Sequence, residues 1–381
     1  GERMRYALCA VIALSLAGCS DPEEQTSLHS GPEPAYESSM YRAVLEQMTS
    51  AKAMPVKGDW PLDYGDANVF GPGFFYRYGA AGGNALQLQV GRDNTAHNTK
   101  VIQDALKQLG TLMSQLEEVI MANFGLMEAY AQEPSDATRE LLDQSLDVIN
   151  TMSRGVSYYP ANMSVGKFGV NTYGPATTNA LLAILNLEYA LLVGGSLKQK
   201  RIDTALEILT KGREKGFLTA KGYYAYSTKT TELYLYPQVT QMVAHLRVYQ
   251  LTSKKLYLDR ARDLYKAMQP LKIPGEARYR SPYSAKEMGA KTNDYTTLSS
   301  QNYTMMALAL LARFTGDAKI KKEMEGILEF VRTHLLHTDG RVLHHWIDGE
   351  VVPTDHEVAY CSGCNLQLLY IIWRLPALMP P

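Results

Sequence analysis

The sequence predicts an all-α protein, an α/α toroid of about five helical hairpins with its long loops gathered on one face. Three observations predict it. Four apolar segments begin at Asn179, Gln238, Gln301 and Cys364, with starts spaced 59, 63 and 63 residues apart. The first three are apolar nearly all round, as buried helices are, and each turns a short corner into an amphipathic, charge-striped helix. The corners are Gly194-Gly195-Ser196, Thr252-Ser253-Lys254 and Thr315-Gly316-Asp317, whereas the connections leading back run to twenty residues or more. A period near 60 that holds one buried and one half-exposed helix is a helical-hairpin array; a tetratricopeptide-type solenoid is the structural alternative, although its period is about 34.

Taken in order, residues 1–18 combine a charged start, a short apolar run and small residues before a break, which is a secretory signal too short to remain as a spanning helix. Residues 19–35 are polar and proline-rich and read as a flexible tether. The helical domain occupies 36–381. Its first amphipathic helix covers 36–52, a long helix covers 97–131, and Ser135 caps an amphipathic stretch at 136–153. The half-exposed partners of the first three repeats lie at about 199–214, 255–269 and 318–335, and a last buried helix covers 364–375. The first and last helices lack partners in sequence; pairing them closes a ring that uses every helix.

Segment 16–19 reads Leu-Ala-Gly-Cys and resembles the lipobox of bacterial lipoproteins. The resemblance implies diacylation of the Cys19 thiol and cleavage just before it. Ser20 stands where an inner-membrane retention signal carries Asp, so the same resemblance implies the outer membrane, with the domain in the periplasm or at the surface. The expected membrane contact is the lipid anchor alone.

Charge sets further bounds. There are 38 basic against 39 acidic residues, a net charge of −1, and this balance offers no basic face for nucleic acid. The aromatic balance is unusual, with 25 Tyr against 8 Phe and 3 Trp.

The long connections are expected at 53–96, 154–177, 216–237, 270–298 and 336–360. Loops of that length in a compact helical domain are usually functional. A toroid collects them around the N-terminal ends of its inner helices, where partial positive charge and free N–H groups suit anionic ligands. They carry the unusual side chains: Tyr76, Asn171, Tyr173, Tyr226, Tyr236, Arg280, Tyr283 and Trp346, with Asn302 at the start of an inner helix. Five of the eight histidines lie between positions 334 and 356. Aromatic faces interleaved with donors and carboxylates are what a sugar-binding cleft needs. The bland alternative for any single tyrosine is an ordinary packed residue.

Two mechanisms fit these residues. Hydrolysis needs two carboxylates across the scissile bond, one kept protonated. Glu232 is the candidate acid, with Asp294, Asp355 or Glu357 opposite. Elimination or epimerisation of a uronic acid needs a base, an acid and a group that neutralises the substrate carboxylate. Tyr303, Tyr236, His344, His345 and His356 are candidates for base and acid, and Asn171, Asn302, Arg278 or Arg280 for the carboxylate. The 270–298 connection holds five Lys/Arg against three Asp/Glu, a thin margin towards an anionic substrate.

Cys361 and Cys364 are the thiols left to the mature domain and sit C-x-x-C at the start of the last inner helix. A disulfide is the simplest reading in an oxidising compartment. A redox pair remains an alternative, as does a metal site with neighbouring histidines, although the spacing matches no zinc pattern. No cofactor is called for. In architecture and loop content, residues 36–375 resemble the six-hairpin glycosidase-like group and the helical polysaccharide lyases and uronate epimerases. The resemblance implies a carbohydrate-active enzyme with a polysaccharide or oligosaccharide ligand, but no catalytic motif of those families stands in this sequence. A non-catalytic glycan- or peptide-binding lipoprotein would show the same aromatic cleft.

Overall fold

A computed structural model of the chain describes residues 38–48, 75, 85–108, 116–155, 174–225, 233–281, 296–347, 350–351 and 362–378. Helices dominate: α1 (Ser38–Met48), α2 (Ala85–Lys107), α3 (Leu116–Gln132), α4 (Asp136–Gly155), α5 (Gly174–Leu192), α6 (Lys198–Gly212), α7 (Leu235–Thr252), α8 (Lys255–Ala267), α9 (Leu298–Thr315), α10 (Ala318–Phe330) and α11 (Ser362–Leu378). Among the described residues no helix is long and apolar enough to cross a membrane.

The helices sort into two layers by how much of each is buried. Every residue of α7 from Leu235 to Val248 is buried, and so is every residue of α9 from Leu298 to Ala312. The partner helices bury one stripe only: α8 turns Tyr257, Leu258, Ala261 and Leu264 inward, at helical spacing. Inner helices pack side by side in the order α3, α5, α7, α9, α11, and each is backed by an outer helix, namely α4, α6, α8, α10 and α1. The last pairing joins the two ends of the domain, since α1 packs on α11. Each outer helix returns the chain before the next inner helix starts, so the inner helices run parallel and begin at the same end.

The short corners at the opposite end repeat in atomic detail. Thr252 Oγ1 donates to Val248 O at 2.7 Å and accepts from Lys254 N at 3.3 Å. Thr315 does the same with Leu311 O at 2.6 Å and Asp317 N at 3.3 Å. Both helices end on a left-handed residue, Ser253 (φ 56°) and Gly316 (φ 69°). Ser135 caps α4 by accepting from Thr138 N at 3.1 Å.

One stretch differs from the sequence reading. The region expected as a single helix over 97–131 holds parts of two helices, α2 and α3, and α2 starts at Ala85, inside the connection expected over 53–96. The cause lies in the buried face of α2, which reads Gln87, Val90, Gly91, Asn94, Asn98, Ile102, Ala105. The spacing is helical, but amides and a glycine occupy the apolar positions, so hydrophobic periodicity misses it.

Candidate functional site

The N-terminal ends of the inner helices are built around a device that recurs three times. Each of three outer helices is followed by a tight hairpin, closed by Leu218↔Tyr224, Lys272↔Tyr279 and Leu336↔Val342. In each case an amide side chain from the start of the next inner helix binds both backbone polar groups of one hairpin residue. Tyr224 N donates to Gln238 Oε1 (2.8 Å) while Gln238 Nε2 donates to Tyr224 O (2.6 Å). Gln301 treats Tyr279 likewise (3.1 and 2.7 Å), and Asn365 treats Val342 likewise (2.9 and 3.0 Å). A buried amide thereby stands in for a neighbouring strand and satisfies backbone groups that would otherwise be costly to bury.

Above α9 a small antiparallel sheet completes this end: β1 (Thr296–Thr297), β2 (His345–Ile347) and β3 (Glu350–Val351), with Thr296 opposite Trp346 and Thr297 opposite His345. Thr297 caps α9, accepting from Ser300 N at 3.1 Å, and Leu298 N donates to His344 O at 2.8 Å.

Within the first two turns of four neighbouring inner helices lies a set of buried polar atoms that make no hydrogen bond. These are Thr177 Oγ1 on α5, Gln241 Oε1 on α7, Ser299 Oγ and Asn302 Oδ1 on α9, and Gln367 Nε2 on α11. Native proteins rarely leave such groups unpaired, and each calls for a reason. All five lie near the N-terminal ends of the inner helices, a polar floor to that end of the barrel.

The sequence candidates fall into three groups. Glu232, Asp294, Asp355, His356, Tyr76, Asn171, Tyr173, Tyr226 and Tyr283 lie outside the described residues, as do Cys19 and Cys361. His345 is placed in β2 by its backbone. The remainder are described in full. Tyr236 and Tyr303, each 2% exposed, meet edge to face with ring centres 5.9 Å apart on adjacent inner helices. Asn302 spends its NH2 on Cys364 O (2.9 Å) and Gln367 Oε1 (3.2 Å), joining α9 to α11. Arg280 Nη2 donates to Pro270 O at 2.8 Å. Trp346 packs edge-on against Phe330 at 5.7 Å, and its Nε1 is buried with no partner. Cys364 is 1% exposed.

Two further tyrosines prove to be structural. Tyr279 is fully buried and donates its hydroxyl to Glu323 of α10, as Tyr265 does at 2.8 Å. Burial and that carboxylate push both phenol pKa values up. Arg278 is held between Glu276 and Thr296 Oγ1, and its guanidinium lies 4.8 Å over the Phe330 ring.

His344 is the titratable group of interest at this end. Burial lowers its pKa to about 4, so the imidazole is neutral at pH 7 and accepts rather than donates a proton. Among the described residues no three metal-ligating side chains converge. The polar floor and the amide clamps escaped the sequence reading. Their signal was present, since Gln238, Gln301 and Asn365 recur at nearly the repeat period in otherwise apolar helices.

No protein family matches the chain, and no curated protein does. Solved structures do match. A D-mannose isomerase superposes with a TM-score of 0.61 at 10% identity, covering 89% of this chain and 96% of its own. A polysaccharide lyase gives 0.59 at 11% identity, covering 93% and 98%, and a glycosyl hydrolase of family 88 from Bacteroides vulgatus gives 0.57 at 12%, covering 89% and 98%. The fold is an α/α toroid. Such identities establish architecture and leave chemistry to the residues. They bear out the expected likeness to glycosidase-like and lyase toroids at that level. Among the described residues the first helix, α1, packs on the last, α11.

Proposed function

We propose that this protein is a carbohydrate-active enzyme working on a polysaccharide at the N-terminal end of its inner helices. One observation carries the reading: unpaired buried polar atoms of Thr177, Gln241, Ser299, Asn302 and Gln367 gather at one end of four neighbouring helices. A hydroxyl-rich ligand satisfies such a floor, because each sugar hydroxyl both donates and accepts. Support also comes from structural neighbours described as a polysaccharide lyase and a glycosyl hydrolase, each covered over nearly its full length.

Neutral His344 is an acceptor at this end, and the long connections of the sequence supply Glu232, Asp294 and Asp355 as acids and His356 as a further base. In this reading the substrate contains uronic acid and Arg280 lies on its path. Incubating the tether-free domain with neutral and uronate polysaccharides, while following reducing ends and the absorbance of unsaturated products, tests the assignment. Unsaturated products support elimination and reducing ends alone support hydrolysis. No change in any glycan defeats the enzymatic reading in favour of a binding protein.

The same proposal includes the envelope address. Cys19 carries the lipid, the outer membrane holds the anchor, and Cys361 pairs with Cys364. Metabolic labelling with a fatty-acid analogue tests the anchor, and Cys19→Ser must abolish the label. Mass mapping of the unreduced domain tests the pairing.

A further inference from the structure

A second feature lies at the same end of the wheel, on its outer side. A cavity of about 300 Å3 opens between the C-terminal end of α6, the turn around residues 218–222 and the second half of α8. Four cations line it, Arg213, Lys221, Arg260 and Lys266, against the single carboxylate of Asp263. The two arginines are half-buried, and among the described residues neither forms an ion pair with a carboxylate. Arg213 Nη1 donates to the Tyr224 hydroxyl at 3.3 Å, and the Arg260 guanidinium lies 5.4 Å from the centre of the Tyr257 ring.

Several other arginines of the chain do meet carboxylates. Arg201 meets Asp147 at 2.7 Å, Arg278 meets Glu276 at 2.5 Å and Arg341 meets Asp339 at 2.7 Å. Arg213 follows the last turn of α6, where a cation is favoured by the helix dipole. That accounts for one guanidinium but not for a second brought alongside it. Burial, with the repulsion of Arg213 added, holds the Arg260 pKa below its usual value. Two partly desolvated guanidinia sharing a cavity repel each other, and a bound oxyanion turns the repulsion into attraction through forked hydrogen bonds.

We propose that this cavity binds an oxyanion of the phosphate or sulfate class, held between Arg213 and Arg260 with Lys221 and Lys266 at the rim. The site is independent of the sugar-processing reading. Its position outboard of the candidate cleft fits either a free ion or an ester on a longer ligand.

The test uses the folded domain and calorimetric titration with inorganic sulfate and inorganic phosphate, ionic strength being held constant with chloride. Saturable binding of either ion, accompanied by a rise in melting temperature, is expected. Arg213→Gln and Arg260→Gln should each raise Kd at least tenfold, Arg260→Lys should retain part of the affinity, and Lys319→Gln on another outer helix should change nothing. Circular dichroism of each variant separates lost binding from lost fold. Parallel titrations with sulfated and phosphorylated monosaccharides identify the source, tighter binding of an ester pointing to a ligand-borne group. Failure of both ions and both esters to bind, or equal affinity in the Arg213→Gln/Arg260→Gln double variant, overturns the site.

Discussion

Arg247 reaches from one inner helix to the next, its Nε donating to Glu188 Oε1 at 2.8 Å, with both side chains almost entirely shielded from solvent. Arg247 Nη1 also donates to Gln250 at 2.6 Å, so the guanidinium is well supplied with partners. Burial raises the Glu188 pKa, against the pull of Arg247. Removing one member leaves an uncompensated charge, at a cost of about 3–5 kcal/mol. Arg247→Met should therefore lower the denaturation midpoint sharply, while the double variant Arg247→Met/Glu188→Leu should recover much of the loss. Equal midpoints for the single and double variants would contradict this account.

A second prediction concerns acid stability. His245 is fully buried, hydrogen-bonds Gln241 O through Nδ1 at 2.6 Å, and has its pKa lowered to about 3, chiefly by burial. Between pH 6.5 and 3 the unfolded chain binds a proton at this residue that the folded chain refuses. Stability is thus complete above pH 6.5 and falls with decreasing pH, by up to about 1.4 kcal/mol per pH unit. His344, lowered to about 4, adds a second contribution with the same sign. Urea titrations across this range should show a shallower acid slope for His245→Phe than for the unaltered protein.

The amide clamps make a third prediction. Gln301→Ala leaves Tyr279 N without an acceptor and Tyr279 O with only the Thr296 hydroxyl at 3.4 Å, and an unmet buried group costs about 1–3 kcal/mol. Gln301→Glu removes the donor but leaves an acceptor, so it should rescue little. Hydrogen exchange should locate the loosening in the 272–279 hairpin.

Gly340 supplies a fourth. It sits at φ 89°, and a Cβ there would collide with Ala43 O of α1. Gly340→Ala combines backbone strain of about 1–3 kcal/mol with that clash. Its expected effect is local: protease sensitivity should rise first in α1, the helix that closes the ring.

Much of this architecture was readable from spacing alone. The apolar runs starting near Gln238 and Gln301 need only be buried helices for a hairpin array to follow, and the Thr252 and Thr315 corners mark the same turn twice. Where the reading stopped, the reason is physical. The amides of Gln87, Asn94 and Asn98 face inward, and no hydropathy pattern reveals a buried amide. Tyrosines were countable, but whether one lines a cleft or fills a core depends on a partner far along the chain. Tyr279 turns inward because Glu323 of α10 accepts its hydroxyl, a contact spanning 44 residues. Of the candidate site, His344 and Trp346 were read by residue type, whereas the unpaired atoms of Thr177 and Gln367 emerge only once four helices stand together.

The three clamps touch main-chain atoms and ignore the identity of the residue they hold, which is Tyr in two cases and Val in the third. Docking of each hairpin is thereby uncoupled from its own side chains. The lengthy stretches that continue from these anchors are free to drift in composition, or to be exchanged by an engineer, while the scaffold beneath keeps its shape.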